Sequence, residues 1–262
     1  VRSAIQAVGL CDSLHFQLEN NVEFKSDTPD WIPGESLVSK AAGLIRQVTG
    51  CTKGVTIEVN KRIPLLSGLG GDSSDAAAVM RGLNKLWGLG LSLEDLLELA
   101  AQLSSDASFF LVGGTALAEG RGEMVTPLPP LPHRWVVLML PPVLRKSGKT
   151  KKLYDSLQAS NYTGGQITDK LVNSLTTGDE VTLSSLVNVF DEVALDNFAG
   201  LGRYWEQFLE AGAREVHLAG SGSALFTLVS DKSQARKIYR NLQEQGLESY
   251  LSETLTAMEV LK

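Results

Sequence analysis

The chain has 262 residues, enough for one large domain or two modest ones, and its 43% hydrophobic and 21% charged residues are those of an ordinary globular protein. That composition excludes a disordered, collagen-like or coiled-coil chain, and no run approaches the roughly 18 apolar residues of a membrane-spanning helix. A net charge of −6 argues against nucleic acid as the main partner, and Cys11 and Cys51 are too few for a disulfide framework or a four-ligand zinc site.

With no signal-like N-terminus, a reducing, bacterial cytoplasmic location is expected. The chain begins with Val1 rather than methionine, so residues upstream of it are expected too. Residues 1–133 hold ten basic and fifteen acidic side chains, and residues 134–262 fourteen and fifteen. The basic surplus collects in Arg145, Lys146, Lys149, Lys151 and Lys152, which reads either as a solvated loop or as a site for an anionic ligand.

In chain order, residues 13–18 alternate at period two and predict a strand. Residues 37–48 carry helical spacing and stop at Gly50, and residues 55–59 alternate again as a second strand. A glycine-rich stretch, 67–71, precedes an alanine-rich helix over 73–87. Another helix follows over 92–101, with Ser92 as its N-cap and Asp95 three residues on. Residues 115–119 and 123–126 predict a hairpin around 120–122. The four prolines of 127–132 read as a stiff connector, which places a domain boundary between 133 and 134.

Beyond it a strand is predicted at 135–140 and helices near 150–157, 167–176, 180–197 and 203–211. A strand pair at 215–218 and 224–229 brackets Gly220-Ser-Gly222, and a helix (232–244) and a strand (248–255) close the chain. Strands and helices interleave without a regular β-α-β rhythm, so the fold class is α+β.

Three segments carry chemistry. In Ile63-Pro-Leu-Leu-Ser-Gly-Leu-Gly-Gly-Asp-Ser-Ser, glycines let backbone approach a ligand, and the helix that follows presents unpaired N–H groups and a positive dipole end. That is a phosphate cradle, or an ordinary glycine turn before a helix. It is not a P-loop, because Val143 stands where the glycine before Gly148-Lys149-Thr150 is needed. Nor is it a dinucleotide fingerprint, because Ser73 stands at the third glycine. In the second segment Asp106 lies between small polar residues and Phe109-Phe110. There it serves as a desolvated general base or as a helix N-cap. The third, Gly220-Ser-Gly-Ser223, is a tight turn or a loop packed against the ligand site.

Taken in this order, the segments resemble the GHMP kinase superfamily. Within it, Asp75-Ala-Ala-Ala78, Asn84-x-x-Trp87, Leu91-Ser92 and Ala116-x-Ala-Glu-Gly120 are most similar to the branch acting on 4-diphosphocytidyl-2-C-methyl-D-erythritol. The resemblance implies a two-lobed fold, with a ribosomal-protein-S5-like N-terminal lobe and a ferredoxin-like C-terminal lobe. It implies phosphoryl transfer from ATP to the 2-hydroxyl of that small molecule, in non-mevalonate isoprenoid biosynthesis. Pro64, Leu65, Leu66, Ser67, Gly68, Leu69, Gly70, Gly71, Asp72, Ser73 and Ser74 match the ATP-phosphate loop. Asp106 matches the aspartate that takes the substrate proton, and Thr150 and Tyr154 fall where the family contacts the cytosine end. The basic run would then face the substrate's diphosphate. Mg²⁺ is implied to arrive with ATP, and no dedicated metal cage is readable.

Two departures follow. The family's Ala-Lys-x-Asn and Gly-Tyr-His are expected upstream of Val1, and with them a lysine that pairs with the catalytic aspartate. Asp72 stands where the family has a third glycine; a carboxylate there repels phosphates unless it turns outward, meets Mg²⁺ or caps the helix. The rival readings are a homoserine or mevalonate type of GHMP kinase, or an inactive nucleotide-binding module.

Overall fold

The computed structural model describes residues 1–144, 148–181 and 186–260. The N-terminal lobe runs β1 (Arg2–Gln6), β2 (Ser13–Glu19), β3 (Val22–Lys25), α1 (Leu37–Thr49) and β4 (Gly54–Asn60). It continues with α2 (Gly71–Trp87), α3 (Leu93–Leu103), α4 (Ala107–Val112), β5 (Thr115–Glu119) and β6 (Met124–Pro127). The C-terminal lobe holds β7 (Trp135–Met139), α5 (Lys149–Ser156), α6 (Gln166–Thr177), α7 (Phe190–Asn197) and α8 (Leu201–Glu210). It closes with β8 (His217–Leu218), β9 (Leu225–Val229), α9 (Lys232–Glu244), β10 (Ser249–Glu253) and the short α10 (Ala257–Val260).

Three sheets result. In the first, β4 is central, antiparallel to β2 and parallel to β3. The second is the antiparallel set β1-β5-β6, and the third the antiparallel set β10-β7-β9-β8. Alternation in β4 buries Val55, Ile57 and Val59 against α1 and α2. Helix α1 buries Val38, Ala41, Ala42 and Ile45, the one-face spacing of an amphipathic helix. Alanines 76 and 77 on α2 let helix backbones approach closely. A separate core in the second lobe gathers Phe208, Leu201, Ile238 and Leu242 against β7 and β9.

Two of the contacts between the lobes are an apolar seam and a strand end. Val8, Leu10 and Leu69 of the first pack with Val136, Leu138, Leu140 and Ala224 of the second. The end of β10 stitches back onto the first lobe: Gly9 N–H donates to Glu253 O and Leu255 N–H to Ala7 O, both at 2.9 Å. Among the described residues no helix is long and apolar enough to cross a membrane.

The predicted elements reappear with shifted ends. The helix expected over 180–197 is helical only from Phe190; residues 186–188 are irregular and 182–185 lie outside the described residues. Asn188 explains the late start, since its Oδ1 accepts from Phe190 N–H at 3.0 Å. Strands β1 and β3 and helix α4 were not anticipated.

Candidate active site

The glycine-rich loop starts from a buried charge cluster. Where β4 ends, the Lys61 ammonium lies 2.5 Å from Asp12 Oδ2 and 2.8 Å from Asp75 Oδ2. Asp12 Oδ1 also accepts from the backbone N–H groups of Arg62 and Ile63. One side chain thus pins the strand end while Asp75 ties it to the second turn of α2. Burial pushes the Asp75 carboxyl up to about 7; Lys61 opposes that rise, and the carboxylates of Asp12 and Asp72 add to it. Burial works against the Lys61 charge, but Asp75 and Asp12 overcome it and hold its pKa above the ordinary value.

From there a turn closes with Ser67 N–H donating to Pro64 O at 3.3 Å. Gly68 (φ 76°) follows, and a Cβ on it would sit 1.8 Å from Gly222 O. Only a glycine permits this approach between the two lobes' loops. Gly70 (φ 71°) is the N-cap of α2 and has no side chain to cap it. A Cβ there would fall 2.7 Å from the Phe110 ring. Ser74 N–H donates to Gly70 O, while the N–H groups of Gly71, Asp72 and Ser73 have no acceptor among the described residues at a positive dipole end. Asp72 does not cap the helix. Its side chain is exposed in the first turn, 3.8 Å from Lys61 Nζ.

The second lobe braces this loop. Ser223 Oγ donates to Leu66 O at 3.0 Å and Ala224 N–H to Ser67 O at 2.8 Å. The bracing loop is itself held from behind. Asn188 Nδ2 donates to Leu218 O and Gly220 O, and Lys149 Nζ donates to Ser221 O at 2.7 Å. Lys149 is buried, and burial lowers its pKa to about 8.

Asp106 precedes α4, and its side chain makes no capping bond. Ser104 does that work: its Oγ accepts from Ala107 N–H at 3.1 Å and lies 3.0 Å from Ser73 Oγ. The same serine therefore sets the start of α4 and ties it to the first turn of α2. At the other end of α4, Arg81 Nη1 donates to Phe110 O at 3.0 Å. Asp106 is exposed on the cleft, and partial desolvation by its surroundings raises its carboxyl pKa. Among the described residues no donor reaches that carboxylate.

On α5, Thr150 Oγ1 lies 3.1 Å from Ser221 Oγ. Tyr154 stands edge-on to Phe190 with centroids 5.0 Å apart, and the residue is 47% exposed. Burial raises its phenol pKa, and the Asp106 charge and Tyr162 raise it further; Tyr154 and Asp106 line the same cleft.

The loop residues 64–74, Asp106, Thr150 and Tyr154 line one cleft of about 2330 Å³. The volume exceeds the range of about 300–1,000 Å³ for a single small-molecule pocket, leaving room for two ligands. The basic run is less uniform. Lys151 pairs with Asp155, Lys152 donates to Asn197 O and sits over the Phe198 ring, and Arg145 and Lys146 lie outside the described residues. These contacts give no support to a diphosphate-facing role for Lys151 and Lys152. Sequence reasoning missed the Lys61 cluster, Ser104, Arg81 and Tyr162. A lysine at the junction of strand and glycine loop was the available signal for the first.

Residues 36–114 match the model of the GHMP kinases N terminal domain and residues 172–247 that of the GHMP kinases C terminal domain. A 4-diphosphocytidyl-2-C-methyl-D-erythritol kinase of Dehalococcoides mccartyi is 49% identical over 259 residues, covering 99% of this chain and 91% of the relative. The chain belongs to this family of GHMP kinases. A namesake from Geobacillus sp. is 36% identical over 248 residues, 93% of this chain and 84% of its own. A crystal structure of 4-(cytidine 5'-diphospho)-2C-methyl-D-erythritol kinase superposes with a TM-score of 0.81 at 28% identity, covering 97% and 89% of the two chains. The homoserine kinase of Cytophaga hutchinsonii shares the fold at a TM-score of 0.75 and 21% identity, covering 96% and 88%. The GHMP kinase fold and an ATP-dependent kinase activity follow for this chain.

Proposed function

We propose that the chain transfers the γ-phosphoryl group of ATP to the 2-hydroxyl of 4-diphosphocytidyl-2-C-methyl-D-erythritol, a step of isoprenoid biosynthesis. The observation that carries this is the Ser73–Ser104 contact. It sets Asp106 against the head of the glycine loop, so that a base and a phosphate cradle share one cleft. The loop 64–74 and the open first turn of α2 hold the phosphates. Asp106 accepts the hydroxyl proton as the oxygen attacks the γ-phosphorus and ADP leaves. Its raised pKa brings it closer to the operating pH, which suits a general base. Phosphoryl transfer otherwise needs positioning and charge stabilisation more than covalent chemistry from the protein.

Tyr154 and Thr150 receive the cytosine end, a flat ring against a flat ring. Asp72, exposed beside the loop, would be a carboxylate able to hold a Mg²⁺ that would offset phosphate charge. That reading gives the departure from glycine at 72 a use. The two lobes are taken as residues 1–133 and 134–262, a division supported by their separate cores. A coupled assay offering the cytidyl substrate, homoserine and mevalonate tests the assignment. Turnover of the cytidyl substrate alone is expected, and preference for either other alcohol overturns it.

A further inference from the structure

Lys149 opens α5 and is 7% exposed, yet no carboxylate pairs with it among the described residues. Its ammonium reaches a single acceptor there, Ser221 O at 2.7 Å. Loss of solvent lowers its pKa to about 8, and no neighbouring charge opposes the shift. A buried ammonium on a lone carbonyl costs the fold free energy that an apolar side chain of the same length would not. Thr150 beside it touches the same residue, its Oγ1 lying 3.1 Å from Ser221 Oγ. The first turn of α5 thus grips Ser221 by backbone and by side chain, and the costly grip is the lysine's. A group held at a cost to stability is kept for what it places.

What it places is the second glycine loop. Gly220 (φ 59°) and Gly222 (φ 74°) offer no side chains, so the handles of residues 220–223 are the backbone and two serines. Ser223 ties to the first lobe through Leu66 O, and Ala224 N–H next to it reaches Ser67 O. Ser221 ties the opposite way, to α5. Gly222, between them, is the residue whose carbonyl Gly68 approaches. The phosphate loop therefore leans on a loop that Lys149 anchors from behind. We infer that Lys149 is a positioning residue for phosphoryl transfer, an inference that rests on the phosphate-loop reading above: through Ser221 it sets the loop that sets the nucleotide's cradle. The consequence crosses the cleft. A residue on the helix that carries Thr150 and Tyr154 governs nucleotide binding rather than cytidyl binding.

Lys149→Met keeps the length of the side chain and removes the donor. Binding of a non-hydrolysable ATP analogue and of the cytidyl substrate is measured separately on wild type and variant, together with hydrogen exchange of the Ala224 amide in the ligand-free proteins. A hydrogen bond from a charged donor is worth about a 10- to 150-fold shift in an equilibrium, which bounds what the loop's placement can lose. Affinity for the ATP analogue is therefore expected to fall by about threefold or more, up to that bound, with the cytidyl substrate held within about twofold. The Ala224 amide, which donates to Ser67 O, should exchange faster in the variant. The melting temperature should hold or rise, since a buried charge without a counter-charge is removed. Lys149→Gln keeps a neutral donor and should lie between wild type and Lys149→Met in nucleotide affinity; it carries the same comparison if Lys149→Met does not fold. Unchanged nucleotide affinity, loss of both ligands by a similar factor, or unchanged Ala224 exchange overturns the inference. A wild type that binds no ATP analogue counts against the phosphate-loop reading instead, and Ala224 exchange still decides Lys149.

Discussion

Asp106 and Asp75 both lie in the N-terminal lobe, and burial raises the pKa of both. Their surroundings differ. Asp75 is surrounded by charge, sharing the Lys61 ammonium with Asp12, and its oxygens look inward. Asp106 has no donor among the described residues and opens on the cleft that Tyr154 also lines. A perturbed carboxyl therefore does not by itself mark chemistry. The one that is neutralised holds the scaffold, and the one left without a partner is free to accept a proton.

Substitution should separate the two. Asp106→Asn should lower kcat by about two to four orders of magnitude, the usual worth of acid–base catalysis, while KM changes little. Its melting temperature should not fall, because the side chain is exposed and makes no capping bond that the exchange would break. Near-normal turnover would move the proton acceptor elsewhere. Lys61→Met should do the reverse to stability. Asp12 would stay buried without its cation and Asp75 would keep its proton to still higher pH, at a cost of about 3–5 kcal/mol in a urea titration. A variant as stable as the wild type would mean the cluster contributes little to the fold.

Tyr154→Ala sharpens the other wall of the cleft. Base–aromatic stacking is worth roughly 1–3 kcal/mol, so the cytidyl substrate should bind about 5- to 150-fold more weakly while ATP affinity holds. Equal loss of both ligands would make Tyr154 a support for Phe190 instead.

The pH dependence of stability tests Asp75 directly. The folded protein holds its proton to about pH 7, whereas the unfolded chain releases it near the ordinary value of 3.8. Across that window the folded state binds more protons, so this group's contribution is complete below the unfolded pKa and is lost as pH rises toward 7. Asp75→Asn faces the same Lys61, Asp12 and Asp72 but cannot ionise. Its melting temperature should therefore fall less than the wild type's between pH 5 and pH 8. Parallel curves would show that Asp75 is ionised throughout.

The smallest effect is expected where charges are wet. Arg2 joins Glu119 and Asp169 on the outside, linking β1 to α6, with all three side chains more than a third exposed. Arg2→Ala should shift the melting temperature by less than about 2 °C, and by less still in high salt.

Much of this was readable in the sequence, for local reasons. Ser92 and Asp95 form the reciprocal cap they suggest, and the period-two runs of β2 and β4 pair from Ser13–Asn60 to Glu19–Gly54. Helix α2 starts at Gly71 rather than Ser73 because Gly70 itself is the cap, something composition does not reveal. Strand β1 escaped because its pattern is weak and its partner, β5, lies more than a hundred residues away. Helix α4 escaped because six residues, five of them buried, carry no helical period. The site divides likewise. The loop and Asp106 stand in continuous motifs, whereas Asp12 meets Lys61 across 49 residues and Ser73 meets Ser104 across 31. Spacing within a motif carries no record of such pairs.

The hydrogen bond from Ser223 to Leu66 joins residues 157 apart in sequence. A ribosome adding about 5–20 residues per second places roughly 8–30 s between them. Through that interval the first lobe's core can close around Val55, Ile57 and Val59, but the glycine loop has nothing to lean on. The brace on the Leu66 carbonyl is therefore made late in synthesis, after the first lobe's own core can have formed.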